Sequence, residues 1–110
     1  MANLTKQWKR NPSYFLGAFS GDRLVGVSVF TDDGRKGWIN RLAVLPGERR
    51  KGVASKLVES SQSILKKKRL RLLCALIETD NEQSIRLFEN LGFEVEKGIL
   101  YVTRRDGASF

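Results

Sequence analysis

The stretch Arg41-Leu42-Ala43-Val44-Leu45-Pro46-Gly47-Glu48-Arg49-Arg50-Lys51-Gly52-Val53-Ala54 decides how this chain is read. An apolar run ends at Leu45, and Pro46-Gly47 breaks it. A short basic loop then opens onto Gly52 and the compact residues Val53, Ala54 and Ser55. The pattern is strand, loop, helix start. The opening amides of a helix lack intrahelical acceptors, and the dipole is positive at that end. Gly52 lets the backbone approach a phosphate closely, and Ala54 keeps that approach clear. Arg49, Arg50 and Lys51 add positive charge around the mouth. A diphosphate suits such a site. From these residues alone, a helix preceded by merely solvated charges fits equally well. The loop is neither G-x-x-x-x-G-K-[ST] nor G-x-G-x-x-G, so it supports neither a P-loop nor a dinucleotide fold.

On the N-terminal side, Tyr14–Phe19 reads as a strand and Ser20-Gly21-Asp22-Arg23 as a turn. Leu24–Thr31 is a second strand, with Val25, Val27 and Val29 on one face. Asp32-Asp33-Gly34 turns the chain into a third strand, Trp38–Leu45, and the three form an antiparallel meander. Trp38 is expected in the core. On the C-terminal side, Val53, Ala54, Leu57, Val58, Ile64 and Leu65 have helical spacing. Lys66, Lys67 and Lys68 complement the dipole at the far end. Leu70–Ile77 is apolar throughout, as in a strand covered on both faces. Asn81 is placed to cap a second helix bearing Ile85, Phe88 and Leu91, with Gly92 at its C′ position. Phe93–Arg105 is strand-like again, with Gly98 breaking it into a hairpin or bulging one strand. Residues 1–13 are polar, a short helix or a loose arm carrying Trp8. The fold class is α/β (α+β): a mixed β-sheet in which an antiparallel meander leads into β-α-β-α-β. The organisation is an arm at 1–13, one domain at 14–105 and a tail at 106–110.

The composition fits one compact domain: 110 residues, 41% apolar and 29% charged. No apolar run approaches the roughly 18 residues of a membrane span. The start, MANLTKQWKRNP, has no secretory core, so the expected location is cytoplasmic. The single cysteine excludes an internal disulfide framework, and Cys74 is expected to be a buried, inert thiol. With no histidine, the commonest general base and zinc ligand are missing, and no metal site is expected. The net charge of +8 favours an anionic partner: nucleic acid, a phosphorylated cofactor or an acidic surface.

Leu42-Ala43-Val44-x-Pro46-x-x-Arg49-Arg50-x-Gly52-Val53-Ala54 resembles motif A of the GNAT acyltransferases, whose core is [RQ]-x-x-G-x-[GA]. Asn81-x-x-Ser84-x-x-x-Phe88-x-x-x-Gly92-Phe93 resembles motif B of that family. The two occur in order, separated by one helix and one strand. The resemblance covers roughly residues 14–105. It implies that Trp38–Leu45 and Leu70–Ile77 are neighbouring parallel strands, parted at their C-terminal ends to admit acetyl-CoA as cosubstrate. Leu42, Ala43 and Val44 would meet the pantetheine arm, with the Val44 N–H as donor to the thioester carbonyl. The amides from Arg50 through Lys51, Gly52, Val53 and Ala54 to Ser55 would hold the pyrophosphate. Asn81 and Phe88 would meet the cofactor from the second helix. A primary amine would attack the thioester directly.

The chain departs from the family pattern in three places. Phe88 stands where many relatives carry a tyrosine that protonates the leaving thiolate; Tyr101 would substitute if the last strand curled back. Leu76 stands where some relatives carry a glutamate base; Glu78 would share its strand face if the strand continued, and is the catalytic candidate. Asp32 and Asp33 are hairpin residues first. Relatives also carry a strand and two helices before the meander, where only residues 1–13 stand here. This implies an open acceptor pocket or one closed by a second subunit, and an uncovered sheet edge favours a homodimer. The sequence also accommodates two other functions: a CoA-binding module with little catalysis, and a nucleic-acid-binding protein. The latter would use Lys66–Arg69 with Arg71, although that cluster has no interleaved aromatics for stacking bases.

Overall fold

The structure is a computed structural model describing residues 4–10, 13–49 and 52–107. Five strands form one sheet in the order β1-β2-β3-β4-β5: β1 Leu4–Arg10, β2 Ser13–Ser20, β3 Arg23–Asp32, β4 Gly37–Val44 and β5 Leu73–Ala75. The first four strands are antiparallel neighbours, and β5 joins β4 in parallel. Helix α1, Val53–Lys67, connects β4 to β5, and α2, Glu82–Asn90, follows β5. The meander, the crossover helix and the capped second helix are therefore where the sequence reading puts them. Leu4–Arg10, expected as a helix or loose arm, is instead a strand paired with β2 from Leu4↔Phe19 to Arg10↔Ser13. The Trp8 side chain and residues 50, 51 and 108–110 lie outside what is described.

Helix α1 lies on the sheet through Val53, Leu57, Ser61 and Leu65, one residue per turn and each 2% exposed or less. Small residues stand beneath this stripe. A Cβ on Gly26 would come within 2.9 Å of Val53 and 3.1 Å of Leu57, and one on Gly37 would overlap the Leu65 methyls. Between them, the Ser28 and Ser61 hydroxyls meet at 3.0 Å, both fully buried. Ser61 Oγ donates to Leu57 O at 2.8 Å, so Ser28 is the donor of the pair. The helix-covered face of β3 is therefore Gly26-Ser28-Phe30. Val27 and Val29 share the other face as expected, but they are only half-buried. Val25 is a bulge residue, skipped between Ala18↔Gly26 and Phe19↔Leu24, and it is buried beside Gly26.

Both helices end in the same Schellman arrangement. In α2, Gly92 N–H bonds Glu89 O at 3.0 Å and Phe93 N–H bonds Phe88 O at 2.9 Å. The Phe88 and Phe93 rings meet edge to face at 4.9 Å. In α1, Arg69 N–H bonds Lys66 O at 2.9 Å and Leu70 N–H bonds Leu65 O at 3.0 Å. There the left-handed position belongs to Arg69, at φ 65°.

Three expectations are corrected. The apolar run Leu70–Ile77 contributes only Leu73–Ala75 to the sheet. Phe93–Arg105 forms no strand; Ile99, Leu100, Tyr101 and Val102 are 73–86% exposed, with no neighbouring strand to pair with. Trp38 and Cys74 are half-buried rather than core. Trp38 leans on the β3–β4 turn, its Nε1 donating to Asp33 Oδ2 at 3.3 Å.

Candidate functional site

The parallel ladder between β4 and β5 has three pairs, Gly37↔Leu73, Trp38↔Cys74 and Ile39↔Ala75. Beyond them β4 runs on through Asn40–Val44 with β3 alone. The cause is visible in the register. Val29 faces Arg41 and Phe30 faces Ile39, so Asn40 is an extra residue on β4. Such a bulge bends and twists its strand, and here it falls where β5 is left behind.

The bulge also sets the direction of the backbone donors. Gly37 N–H bonds Leu72 O at 2.9 Å, toward β5, and Leu45 N–H bonds Val25 O at 2.9 Å, toward β3. Donors alternate edges along a strand, so two positions an even number of residues apart would point the same way in an unbroken strand; they point oppositely because the bulge takes Asn40 out of the alternation. Counting back from Leu45, the amides of Val44 and Leu42 face the edge that β5 has vacated.

Helix α1 begins beside this open edge. The 3-10 turn Pro46–Glu48 closes the strand. Arg49 Nε then donates to Val44 O at 3.3 Å, tying the loop to the strand end. Gly52 is the N-cap at φ 77°, with open space where a Cβ would stand. The first bond within the helix is Lys56 N–H to Gly52 O, at 3.0 Å. The amides of Val53, Ala54 and Ser55 therefore open the helix without an i−4 acceptor, and Gly52 gives no side-chain cap. The first turn holds no acidic residue to compete for an anion. These features fit a phosphorylated ligand: a positive backbone end, no side chain in the way and a cation at the rim. Arg50 and Lys51, named for the same site, lie outside the described residues.

On the parted strands, a cavity of about 320 Å³ is lined by Thr31, Trp38, Ile39, Asn40 and Leu76. Asn40 Nδ2 donates to Thr31 Oγ1 at 3.3 Å. This bulge residue and its cavity were not singled out by the sequence, because nothing in an Asn between Ile39 and Arg41 marks a bulge.

The remaining candidates fall elsewhere. Asn81 caps α2 as expected, its Oδ1 accepting Ser84 N–H at 3.2 Å, which leaves Nδ2 as its donor. Phe88 is buried against Phe93, in the core rather than on an open surface. Leu42 and Val44 are half-buried against the core, and Ala43 is exposed. The condition set for Glu78 fails, since the strand stops at Ala75; Glu78 is exposed and its carbonyl accepts Asn81 N–H at 3.0 Å in the turn before α2. Tyr101 is 77% exposed on a segment that does not curl back.

Asp32 and Asp33 are hairpin residues, as read. Asp33 accepts the Arg35 and Lys36 amides at 2.8 Å each, which with the Trp38 N–H holds its carboxyl at about 2. Asp32 accepts Gly34 N–H at 3.0 Å, and that bond above all lowers its pKa. Tyr14 OH donates to Asp32 Oδ2 at 3.0 Å, and Lys68 Nζ reaches both Tyr14 OH and Asp32. Lys68, part of the basic cluster, thus helps to fasten the end of α1 to the sheet. Among the described residues, no cluster suited to a metal ion and no helix long and apolar enough to cross a membrane is found.

Proteins of known structure share this architecture. An aminoglycoside 6'-N-acetyltransferase of Acinetobacter haemolyticus superposes with a TM-score of 0.77 at 20% identity, covering 89% of this chain and 74% of that one. AAC(6')-Iy, solved with a CoA bisubstrate analogue, gives 0.76 at 20% identity, covering 88% and 72%. N-alpha-acetyltransferase 30 of Schizosaccharomyces pombe is 29% identical over 79% of this chain and 59% of its own length. The chain thus spans less than two thirds of that relative. The fold is that of the N-acetyltransferases. The chain belongs to the Acetyltransferase (GNAT) family, which it matches over residues 1–93.

Proposed function

We propose that this protein transfers the acetyl group of acetyl-CoA to a primary amine. The observation that carries the reading is the Asn40 bulge, which parts β4 from β5 and leaves the Val44 N–H facing the open edge. In this reading Leu42 and Val44 hold the pantetheine arm by their backbones. The Val44 N–H stabilises negative charge developing on the thioester oxygen. The amides of Val53, Ala54 and Ser55 hold the diphosphate, with Arg49, Arg50 and Lys51 supplying charge and Asn81 Nδ2 reaching in from α2. The fold's main contribution is to align the two reactants. With Phe88 in place of a tyrosine, the leaving thiolate takes its proton from water, at a cost in rate. The names of the relatives, an N-alpha-acetyltransferase and aminoglycoside N-acetyltransferases, support an amine acceptor. A cytosolic enzyme goes with this reading.

The second partner in this reading is another copy of the chain. Among the described residues the outer edge of β5 has no neighbour in the sheet, and Ile99–Val102 is an exposed run of good strand formers. One chain supplies both halves of a strand-to-edge contact.

Gly52→Val tests the cofactor site. The expected result is at least a tenfold loss of acetyl-CoA affinity by calorimetry, with helix content kept by circular dichroism. Unchanged affinity sinks the placement of the diphosphate.

A further inference from the structure

We infer that the acceptor is the α-amine of a peptide whose first side chain is apolar, seated where β4 and β5 part. The inference rests on the acetyl-transfer reading and names its substrate. The cavity there is about 320 Å³, and three of its five lining residues are Trp38, Ile39 and Leu76. Leu76 is 65% exposed, so its side chain offers apolar surface to whatever enters. Asn40 sits on the bulge with Nδ2 engaged by Thr31, which leaves Oδ1 to accept an N–H from an amine.

None of the five lining residues, Thr31, Trp38, Ile39, Asn40 and Leu76, titrates in the physiological range. The charged groups nearby serve poorly as bases. Asp33, bonded to the Trp38 indole, is held at about 2 by three N–H donors. Lys36 lies over the same ring, with Nζ 5.1 Å from its centre, and is a cation. Asp32 is tied to Gly34, Tyr14 and Lys68. Glu78 is exposed in the turn before α2 and does not line the cavity.

The nucleophile is the neutral amine. Its nitrogen bonds to the thioester carbon, the carbon–sulfur bond breaks, one N–H proton leaves to water and the thiolate takes one back. With no base among the described residues that line the cavity, the amine must arrive already neutral. At pH 7.5 about a third of an α-amine is neutral, against about 0.1% of a lysine amine. That difference alone favours the α-amine by about two orders of magnitude. A polycation would also find no carboxylate among the lining residues to receive it.

The test uses the full chain, acetyl-CoA and three acceptors, with release of the CoA thiol as readout. The acceptors are a lysine-free peptide beginning with Leu, an N-terminally blocked peptide with one lysine, and spermidine. The expected kcat/KM at pH 7.5 is about a hundredfold higher for the first. Its pH profile rises once, at the pKa of the peptide's own amine. A peptide beginning with Asp is the slower free-amine substrate. Leu76→Glu, which puts a carboxylate on the cavity wall, narrows the preference for the α-amine over lysine. The inference is overturned, with acetyl transfer left standing, if lysine or spermidine matches the free peptide. Equal rates for the Leu and Asp peptides, or a protein group titrating below pH 7 in the profile, overturn it likewise. Acetyl-CoA binding with no turnover of any amine overturns both this inference and the proposed activity.

Discussion

Asp33 shows how much a turn can ask of one side chain. Two backbone N–H groups and the Trp38 indole favour its ionised form. Its folded pKa of about 2 lies below the ordinary 3.8, so the folded state binds this proton less readily than the unfolded chain. The stabilisation is therefore complete above about pH 4 and is lost as pH falls toward 2. Asp32 shifts in the same direction. Urea midpoints measured from pH 5 to pH 2.5 are expected to fall, and to fall less steeply in Asp33→Asn. Arg69 presents the opposite situation. It holds a left-handed backbone at φ 65° where its counterpart on α2 is Gly92. A side chain in that region costs roughly 1–2 kcal/mol, partly offset by the extra freedom of an unfolded glycine. Arg69→Gly is expected to raise stability by about 0.5–1 kcal/mol in urea denaturation. The C-cap glycine of α2 was legible in the sequence because Gly followed the periodic residues. That of α1 was not, because an arginine conceals the position.

Helix α1 owes its seat to what the sheet lacks. Gly26 and Gly37 leave room for Val53, Leu57 and Leu65, while Ser28 answers Ser61. Ser61→Ala would leave the buried Ser28 hydroxyl without its partner, at a cost of about 1–3 kcal/mol. Ser28→Ala in the same chain is expected to restore most of that loss, and urea curves of the two singles and the double measure the coupling. The helical stripe was readable from Val53, Leu57, Val58 and Leu65, since apolar spacing reports which face is buried. Ser61 interrupted the stripe, and its counterpart Ser28 stands 33 residues away. A pair of that kind exists only in three dimensions. The same holds for β5: Leu70–Ile77 is apolar enough for a longer strand, but pairing depends on β4, which bends away at Asn40.

Across the whole molecule, the two motifs that flag the site stand on the elements expected of them, one at the start of α1 and one on α2. The starts of α1 and α2 and the end of α2 were legible because caps are local chemistry. The catalytic side chains were not, because their roles depended on β5 continuing past Ala75 and on a further strand forming after Phe93, and neither occurs. Ile99–Val102 carries the strand signal without a strand to join. If a second copy provides that strand, replacing Leu100 and Val102 with lysine lowers self-association in sedimentation velocity while the melting temperature of the monomer is kept. Unchanged sedimentation excludes this segment as the contact.

The bulge at Asn40 has a consequence for how the protein tolerates change. Deleting that single residue would let β4 run against β3 with nothing left over, so every amide from Leu42 onward would keep its side, but the bend that carries the strand away from β5 would be ironed out. The Val44 hydrogen would still look away from β3, but into an edge that β5 could now follow and close. Replacing Asn40 with any other amino acid does nothing of the sort. The opening is thus written in how many residues the strand contains, and a scan by substitution alone would pass over it.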